Sequence, residues 1–383
     1  MPDQENALPR PKFLLVENSL HMTGAFVSAL AMVGALRADY EIEFVLPATS
    51  TLQSRVEAEG IVCHLLPMSE LGRAWPRLLR YVPVLLANTI RLHRLLARQR
   101  TDILIINDYY NLLGVMVKYT GWSGQLLTFV RLIPLDQHRV LNRVWTALAV
   151  RHSDKVVAVS RAVASQLPPI SKVQVVYNST RFDERHLGGD ERRNDGMIRC
   201  LYLANYIAGK GHLQALQAFA NAYGDNPRLR LRFVGGEMGL DKNRALKKSL
   251  ELTATQMDLG KVIVFSGYSD DVEFEIKDAD IVLNFSESES FSQTCLEACA
   301  FGRPVIATLC GGPEEIIEDG VSGLLVPVGD VGKMVQAILR LSADATLRRT
   351  MGNKARHIVR QRFSAATFVS QFKSIAGLRE QSC

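Results

Sequence analysis

The stretch Asn284–Thr308, NFSESESFSQTCLEACAFGRPVIAT, decides how the chain is read. The apolar run Ile281–Phe285 that leads into it predicts a buried parallel strand ending in a polar loop. That loop carries Glu289. Ser292–Phe301 predicts a short helix carrying Glu297, and Gly302-Arg303-Pro304 turns the chain into another strand, Val305–Thr308. In open α/β sheets, ligands bind outside the carboxyl ends of the strands, so the loop stands where chemistry usually sits. The helix start adds free backbone N–H groups and a positive dipole end, a natural anion site. Two carboxylates eight positions apart, one before the helix and one inside it, can then grip hydroxyls on either side of a phosphate. The bland alternative is that both are ordinary loop and helix-surface charges.

Outward from this stretch the same alternation repeats. Upstream, Lys12–Glu17, Glu41–Pro47, Ile61–Pro67, Asp102–Asn107, Gln125–Val130, Lys155–Val159 and Val173–Tyr177 are short apolar runs separated by helix-length segments. That pattern predicts a parallel, doubly wound sheet. The charged, glycine-bearing run RFDERHLGGDERRNDG (181–196) lacks apolar period and is the best linker. A second alternation follows it: Met197–Leu203, Leu229–Gly235, Val262–Ser266, Ile281–Asn284, Val305–Thr308 and Gly323–Val326. The tail 331–377 reads as successive helices.

At 383 residues the chain can build two full cores, and 47% hydrophobic with 22% charged residues excludes general disorder. The polar start, MPDQENALPR, is unlike a secretory signal, and Ala25–Leu36 is too short to span a bilayer. Six cysteines lack the spacing of a zinc site or a disulfide framework, which leads us to expect a reduced, cytoplasmic setting. Cys295 and Cys299, one turn apart, read as small core residues. Asp278-Ala279-Asp280 lies at the wrong end of its strand for a metal-binding site and reads as a helix end and strand entry.

The run from Glu289 through Phe291, Glu297, Ala298, Gly302 and Pro304 resembles the Glu, seven residues, Glu signature of retaining glycosyltransferases of family 4, the group 1 glycosyltransferases. The resemblance implies the GT-B fold: two facing Rossmann-like doubly wound domains with a nucleotide-sugar in the cleft between them. It places an acceptor-side domain at residues 1–185 and a nucleotide-sugar-binding domain at 186–383. The last helix, about 364–378, is expected to cross back to the first domain.

Roles follow from the same resemblance. Glu289 would lie against the sugar hydroxyls, and Glu297 would accept both ribose hydroxyls. Amides around Phe291, Ser292 and Gln293 would point at sugar and phosphate, and Lys210 would neutralise the departing diphosphate. Lys210-Gly211 matches the family's turn at the start of the second domain, but Asn205 stands where an Arg is usual, removing a bidentate phosphate partner. Gly311-Gly312 at a strand-to-helix turn would bring backbone N–H groups to the donor, with Glu315 in the acidic slot after it. The segment 319–326 fits a hairpin-like return. Gly24 matches the first domain's glycine loop, which usually has two glycines. Arg131 replaces a histidine that relatives place facing the donor sugar. Ser160 and Asn178 match positions that close turns. No metal or other cofactor is implied.

Between Arg73 and Arg100 there are seven arginines, one histidine and no acidic residue. Arg77, Arg80, Arg91, Arg94 and Arg98 are candidate membrane or acceptor contacts, with Leu92, Leu95, Leu96 and Trp75 nearby. Such a cationic amphipathic segment can lie on an anionic leaflet. His138, Arg139, Arg143 and Trp145 offer a second contact. The alternative is a domain helix whose arginine side is merely solvated. No recognition motif accompanies the charge, so nucleic acid is not expected. The resemblance thus implies hexose transfer from a nucleotide-sugar to a glycan or lipid-linked acceptor, with retention, in cell-envelope or exopolysaccharide synthesis, peripheral on the inner face of the plasma membrane. Two other readings stay open: a non-catalytic nucleotide-sugar-binding partner subunit, and a GT-B nucleotide-sugar epimerase.

Overall fold

The computed structural model describes residues 10–68, 75–133, 139–182 and 195–377, with backbone alone for 75–80 and 139–141. The chain divides into two units. The first holds residues up to Tyr177 and again from Phe368 onward; the second runs from Asn178 to Thr367. The sequence-based boundary at 185/186 falls in 183–194, outside the described residues.

In chain order the first unit contains β1 (Lys12–Val16), α1 (Gly24–Leu36), β2 (Glu41–Pro47), α2 (Gln53–Ala58), β3 (Cys63–Leu66), α3 (Trp75–Gln99), β4 (Ile103–Ile106), α4 (Leu113–Tyr119), β5 (Gln125–Val130), α5 (Arg139–His152), β6 (Lys155–Ala158), α6 (Arg161–Ala164) and β7 (Val173–Val175). Its seven strands form one parallel sheet in the order β3-β2-β1-β4-β5-β6-β7. Strands such as Ile103–Ile106 are buried at every position, as a sheet covered on both faces requires.

The second unit follows with β8 (Ile198–Leu203), α7 (His212–Asp225), β9 (Leu229–Val234), α8 (Asp241–Gln256), β10 (Ile263–Ser266), α9 (Val272–Asp278), β11 (Ile281–Asn284), α10 (Gln293–Ala300), β12 (Val305–Thr308), α11 (Pro313–Ile316), β13 (Gly323–Val326), α12 (Val331–Ala343) and α13 (Ala345–Arg362). Its six strands are parallel in the order β10-β9-β8-β11-β12-β13. The hairpin-like return expected at 319–326 is corrected: a tight turn, Gly320 N–H to Gly323 O at 2.9 Å, leads into β13, which runs parallel to β12. Asp280 enters β11 with its carboxylate accepting Arg199 N–H at 2.9 Å.

α14 (Ala365–Ala376) ends the described chain. Its buried Phe372 reaches Phe13 of β1 with ring centroids 5.8 Å apart, and Lys373 pairs with Asp39 at 2.9 Å, within the first unit.

Both sheets reverse their winding at one point, β1/β4 in the first and β8/β11 in the second. Loops leaving the carboxyl ends of those paired strands border a crevice, the usual ligand position in such sheets.

Candidate active site

At the second sheet's switch point, the loop after β8 (204–211) and the loop after β11 (285–292) meet. Glu287 N–H donates to Gly209 O at 2.8 Å, and Tyr202 Oη accepts Phe285 N–H at 3.0 Å while donating to Lys210 O. Gly211 closes the first loop at φ +72°, and a Cβ there would stand 1.9 Å from Phe285 O. Only glycine fits such an approach in a left-handed conformation.

This zipping brings two predicted residues together. Lys210 Nζ lies 2.7 Å from Glu289 Oε1, which also accepts the Ser286 hydroxyl at 2.7 Å. Asn205 lies in the same loop, but its Oδ1 accepts Gly236 N–H at 2.9 Å, tying the loop to the end of β9.

Ser292 caps α10 from an unusual φ of +75°; its hydroxyl accepts Cys295 N–H at 3.3 Å and Asn284 Nδ2–H at 3.0 Å. A non-glycine residue held there costs free energy, and such positions cluster at ligand clamps. Phe291 is buried and meets Phe363 at 5.6 Å, so it anchors the loop.

The two glycines depart from expectation. Gly311 N–H donates to Glu314 at 2.8 Å and Gly312 N–H to Glu289 O at 2.8 Å. Their amides are therefore spent inside the protein and fasten the 309–312 loop to the Glu289 loop. Gly312 is needed for closeness, since a Cβ would sit 2.2 Å from Phe291 Cα. Glu314 also accepts Cys310 N–H in that turn, and Glu315 N–H donates to Gly312 O.

Glu297, buried inside α10, carries Arg181 against Oε1 at 3.0 Å and accepts Gln293 Nε2–H at 3.3 Å on the same oxygen. Burial pushes its carboxyl above the usual range, opposed by Arg181 and Gln293. Neighbouring Cys310 is pushed up to about 12 by burial, so it stays a thiol and is no nucleophile. His212, stacked among Tyr202, Tyr206 and Phe233, is driven down to about 4 by burial and is neutral. Among the described residues, no cluster of three or more histidine, cysteine or acidic side chains could hold a metal.

Arg181 and Ser286 were missed in the sequence. Arg181 stood at the edge of a charged linker, and only its spatial contact distinguishes it.

The first unit's switch point holds a separate buried cluster. Glu17 accepts Ser19 N–H and hydroxyl at 2.8 Å each and an Asn107 amide, and Arg131 Nε–H donates to Asn107 Oδ1 at 2.6 Å. Asp108, buried beside them, is pushed up to about 8 by burial, and Arg131 is lowered to about 10 by burial against the pull of Glu17 and Asp108. Arg131 is thus turned inward, bonded to Asn107 and balancing the Glu17 carboxylate, rather than extending outward. Gly24 opens α1 behind the Thr23 cap with open space where a Cβ would be. Ser160 caps α6.

On α3, Arg91, Arg94 and Arg98 are exposed, while Arg77 and Arg80 have side chains outside the described residues, as do Trp75, His138 and Arg139. The leucines expected beside them are otherwise engaged: Leu92 and Leu96 are buried in the first unit's core, with Leu95 packed against it. The exposed apolar stripe is instead Val82, Leu86 and Ile90, each about half exposed. No described helix is long and apolar enough to cross a membrane.

Two doubly wound parallel sheets of this order, one in each unit, define the GT-B fold. Residues 188–358 match the family model described as glycosyl transferases group 1. The chain is 30% identical over 238 residues, 59% of its length, to N-acetyl-alpha-D-glucosaminyl L-malate synthase of Bacillus anthracis. It is 36% identical over 163 residues, 42% of its length, to an exopolysaccharide phosphotransferase of Streptomyces coelicolor. It spans 60% of the first relative and 16% of the second. Among solved structures, Anabaena HepE in complex with UDP and glucose superposes with a TM-score of 0.81 at 20% identity, covering 96% of this chain and 100% of that one.

Proposed function

We propose that the protein is a retaining glycosyltransferase of family 4 that moves a hexose from a nucleotide-sugar to a glycan or lipid-linked acceptor in cell-envelope or exopolysaccharide synthesis. The observation that carries this is the Lys210–Glu289 pair at the carboxyl edge of the second sheet, beside the start of α10 and the buried Glu297. In that reading the donor diphosphate takes over Lys210, releasing Glu289 to the sugar hydroxyls, and Glu297 takes the ribose. The C1–oxygen bond to the diphosphate breaks as the acceptor hydroxyl attacks from the same face, and the acceptor's proton leaves on a diphosphate oxygen. Lys210 stabilises the charge that develops on the leaving group. Relatives named for malate-linked and exopolysaccharide chemistry, and a similar fold solved with UDP-glucose, support a nucleotide-sugar donor without fixing the sugar.

Thermal shift and donor hydrolysis across UDP-, GDP- and ADP-sugars test the reading. One of them should stabilise the protein by roughly 2–3 kcal/mol at a hundredfold excess over its dissociation constant. No shift with any of them would overturn the donor assignment. Binding without turnover, offered any acceptor extract, would favour the partner-subunit reading.

For the acceptor side, the half-exposed stripe Val82, Leu86 and Ile90 continues into exposed Arg91, Arg94 and Arg98 on α3. Apolar area beside cations suits an anionic leaflet, each cation adding on the order of 1 kcal/mol. Protein that sediments equally with anionic and neutral vesicles would exclude this contact.

A further inference from the structure

The short segment 178–182, just after the first sheet, lies along α10. Ser179 O accepts Gln293 Nε2–H at 3.4 Å, Arg181 Nε approaches Glu297 Oε1 at 3.0 Å, and the Phe182 ring meets Phe301 edge-on at 4.8 Å. Three successive contacts therefore strap Gln293, Glu297 and Phe301, which lie one turn apart on one helix face. Arg181 is itself fixed, with its guanidinium 5.0 Å from the Phe182 ring. Glu297 is 3% exposed. A carboxylate in such a place is costly unless a cation and hydrogen-bond donors attend it. Both attending groups reach the same oxygen, Oε1; among the described residues, Oε2 has no hydrogen bond.

We infer that Arg181 is a positioning residue for nucleotide recognition: it holds Glu297 by Oε1 as an oriented carboxylate and leaves Oε2 for the paired hydroxyls of a ribose. This rests on the proposed reading of Glu297 as the ribose partner. The Arg181 ion pair and the Gln293 amide together pin Oε1, so a cis-diol can meet a preformed acceptor at the other oxygen. Recognition then depends on the 2′-hydroxyl, and the strap rather than the helix sets how strongly. Arg181 touches neither the sugar nor the diphosphate in this scheme. Its loss should therefore appear in donor affinity and not in the bond-breaking step.

The experiment measures binding of UDP, GDP and ADP and of their 2′-deoxy forms to wild type, Arg181→Ala, Arg181→Gln and Arg181→Lys, with kcat and donor KM for the nucleotide-sugar that binds. Wild type should prefer the ribose form by about tenfold or more, the size of a hydrogen bond to a charged group. Arg181→Ala should lose most of that preference and raise KM by about tenfold, with kcat within about twofold. Arg181→Lys should restore much of the preference. Should Arg181→Ala not fold, Arg181→Gln, which keeps the stem and a donor without the charge, carries the comparison. A folded variant that keeps the wild-type preference and KM overturns the inference alone. Wild type that binds none of these nucleotides overturns the nucleotide-sugar reading, and the inference with it.

Discussion

Lys210 and Glu289 neutralise each other at 2.7 Å, so each holds the other in place at the carboxyl edge of the second sheet. Arg, Lys and amide groups aimed at developing charge typically contribute about 10²–10³-fold in rate. Lys210→Ala should therefore lower kcat by that order in a transfer or hydrolysis assay, and Glu289→Ala should do so with little change in melting temperature. Retained turnover in both would remove the pair from the mechanism. Arg131 belongs to another kind of site. Its 4% exposure and its place between Glu17, Asn107 and Asp108 make it the counter-charge of the Glu17 carboxylate, while Asp108, pushed up to about 8, is held mostly protonated at neutral pH. Removing one partner of a buried ionic network costs about 3–5 kcal/mol because the remaining charge stays desolvated. Arg131→Ala should show that loss in urea unfolding followed by a probe in the first unit.

At the scale of elements, the loop–helix junction Lys210-Gly211-His212 couples the site to the core. Gly211→Ala would force a Cβ into the Phe285 carbonyl, so the variant should lose donor binding and several °C of melting temperature. His212 gives a pH signature. Its pKa is about 4 when folded against 6.5 as the ordinary value, so between those values the unfolded chain takes up a proton that the folded one refuses. Stability is thus complete above about pH 6.5 and falls as pH drops toward 4, by on the order of 3 kcal/mol at most. Urea midpoints from pH 7 to 4.5 should show this slope, and His212→Phe should flatten it.

Elements were also where the sequence spoke most clearly. Ile281–Asn284, Val305–Thr308 and Gly323–Val326 appear as strands with the bounds their apolar runs implied, because strands buried on both faces leave an uninterrupted hydrophobic trace. The direction of β13 was not legible, since a turn before a strand looks alike whether the strand pairs parallel or antiparallel. The fates of the Gly311 and Gly312 amides were equally hidden. Glycine advertises close approach but not which atom approaches, and here Glu314 and the Glu289 carbonyl do. Arg181 was invisible for a related reason: a charged run reads as solvated until a partner far along the chain is placed against it. The α3 leucines show the converse, where a helix's apolar residues split between core and surface and only packing separates them.

For the molecule as a whole, α3 is where exposed cations and exposed apolar side chains lie side by side. Replacing Arg91, Arg94 and Arg98 together by Glu should abolish sedimentation with anionic vesicles while leaving nucleotide binding unchanged. Loss of both together would point to misfolding instead. Phe372 tests the other end of the chain. It is fully buried against Phe13 and Phe368, and Phe372→Ala should destabilise the first unit by about 3–5 kcal/mol, read by hydrogen exchange in β1.

The place of α14 has a consequence for biogenesis. During synthesis, β1 emerges early, yet Phe372, which covers Phe13, is added only after the whole second unit has been translated. The second unit is continuous in sequence, whereas the first is completed only by residues that follow the second. The first keeps part of its core uncovered until α14 has been made and has folded back onto β1. A chain ended at Ser364 would keep the Lys210–Glu289 pair and lose the closure of the sheet that was made first.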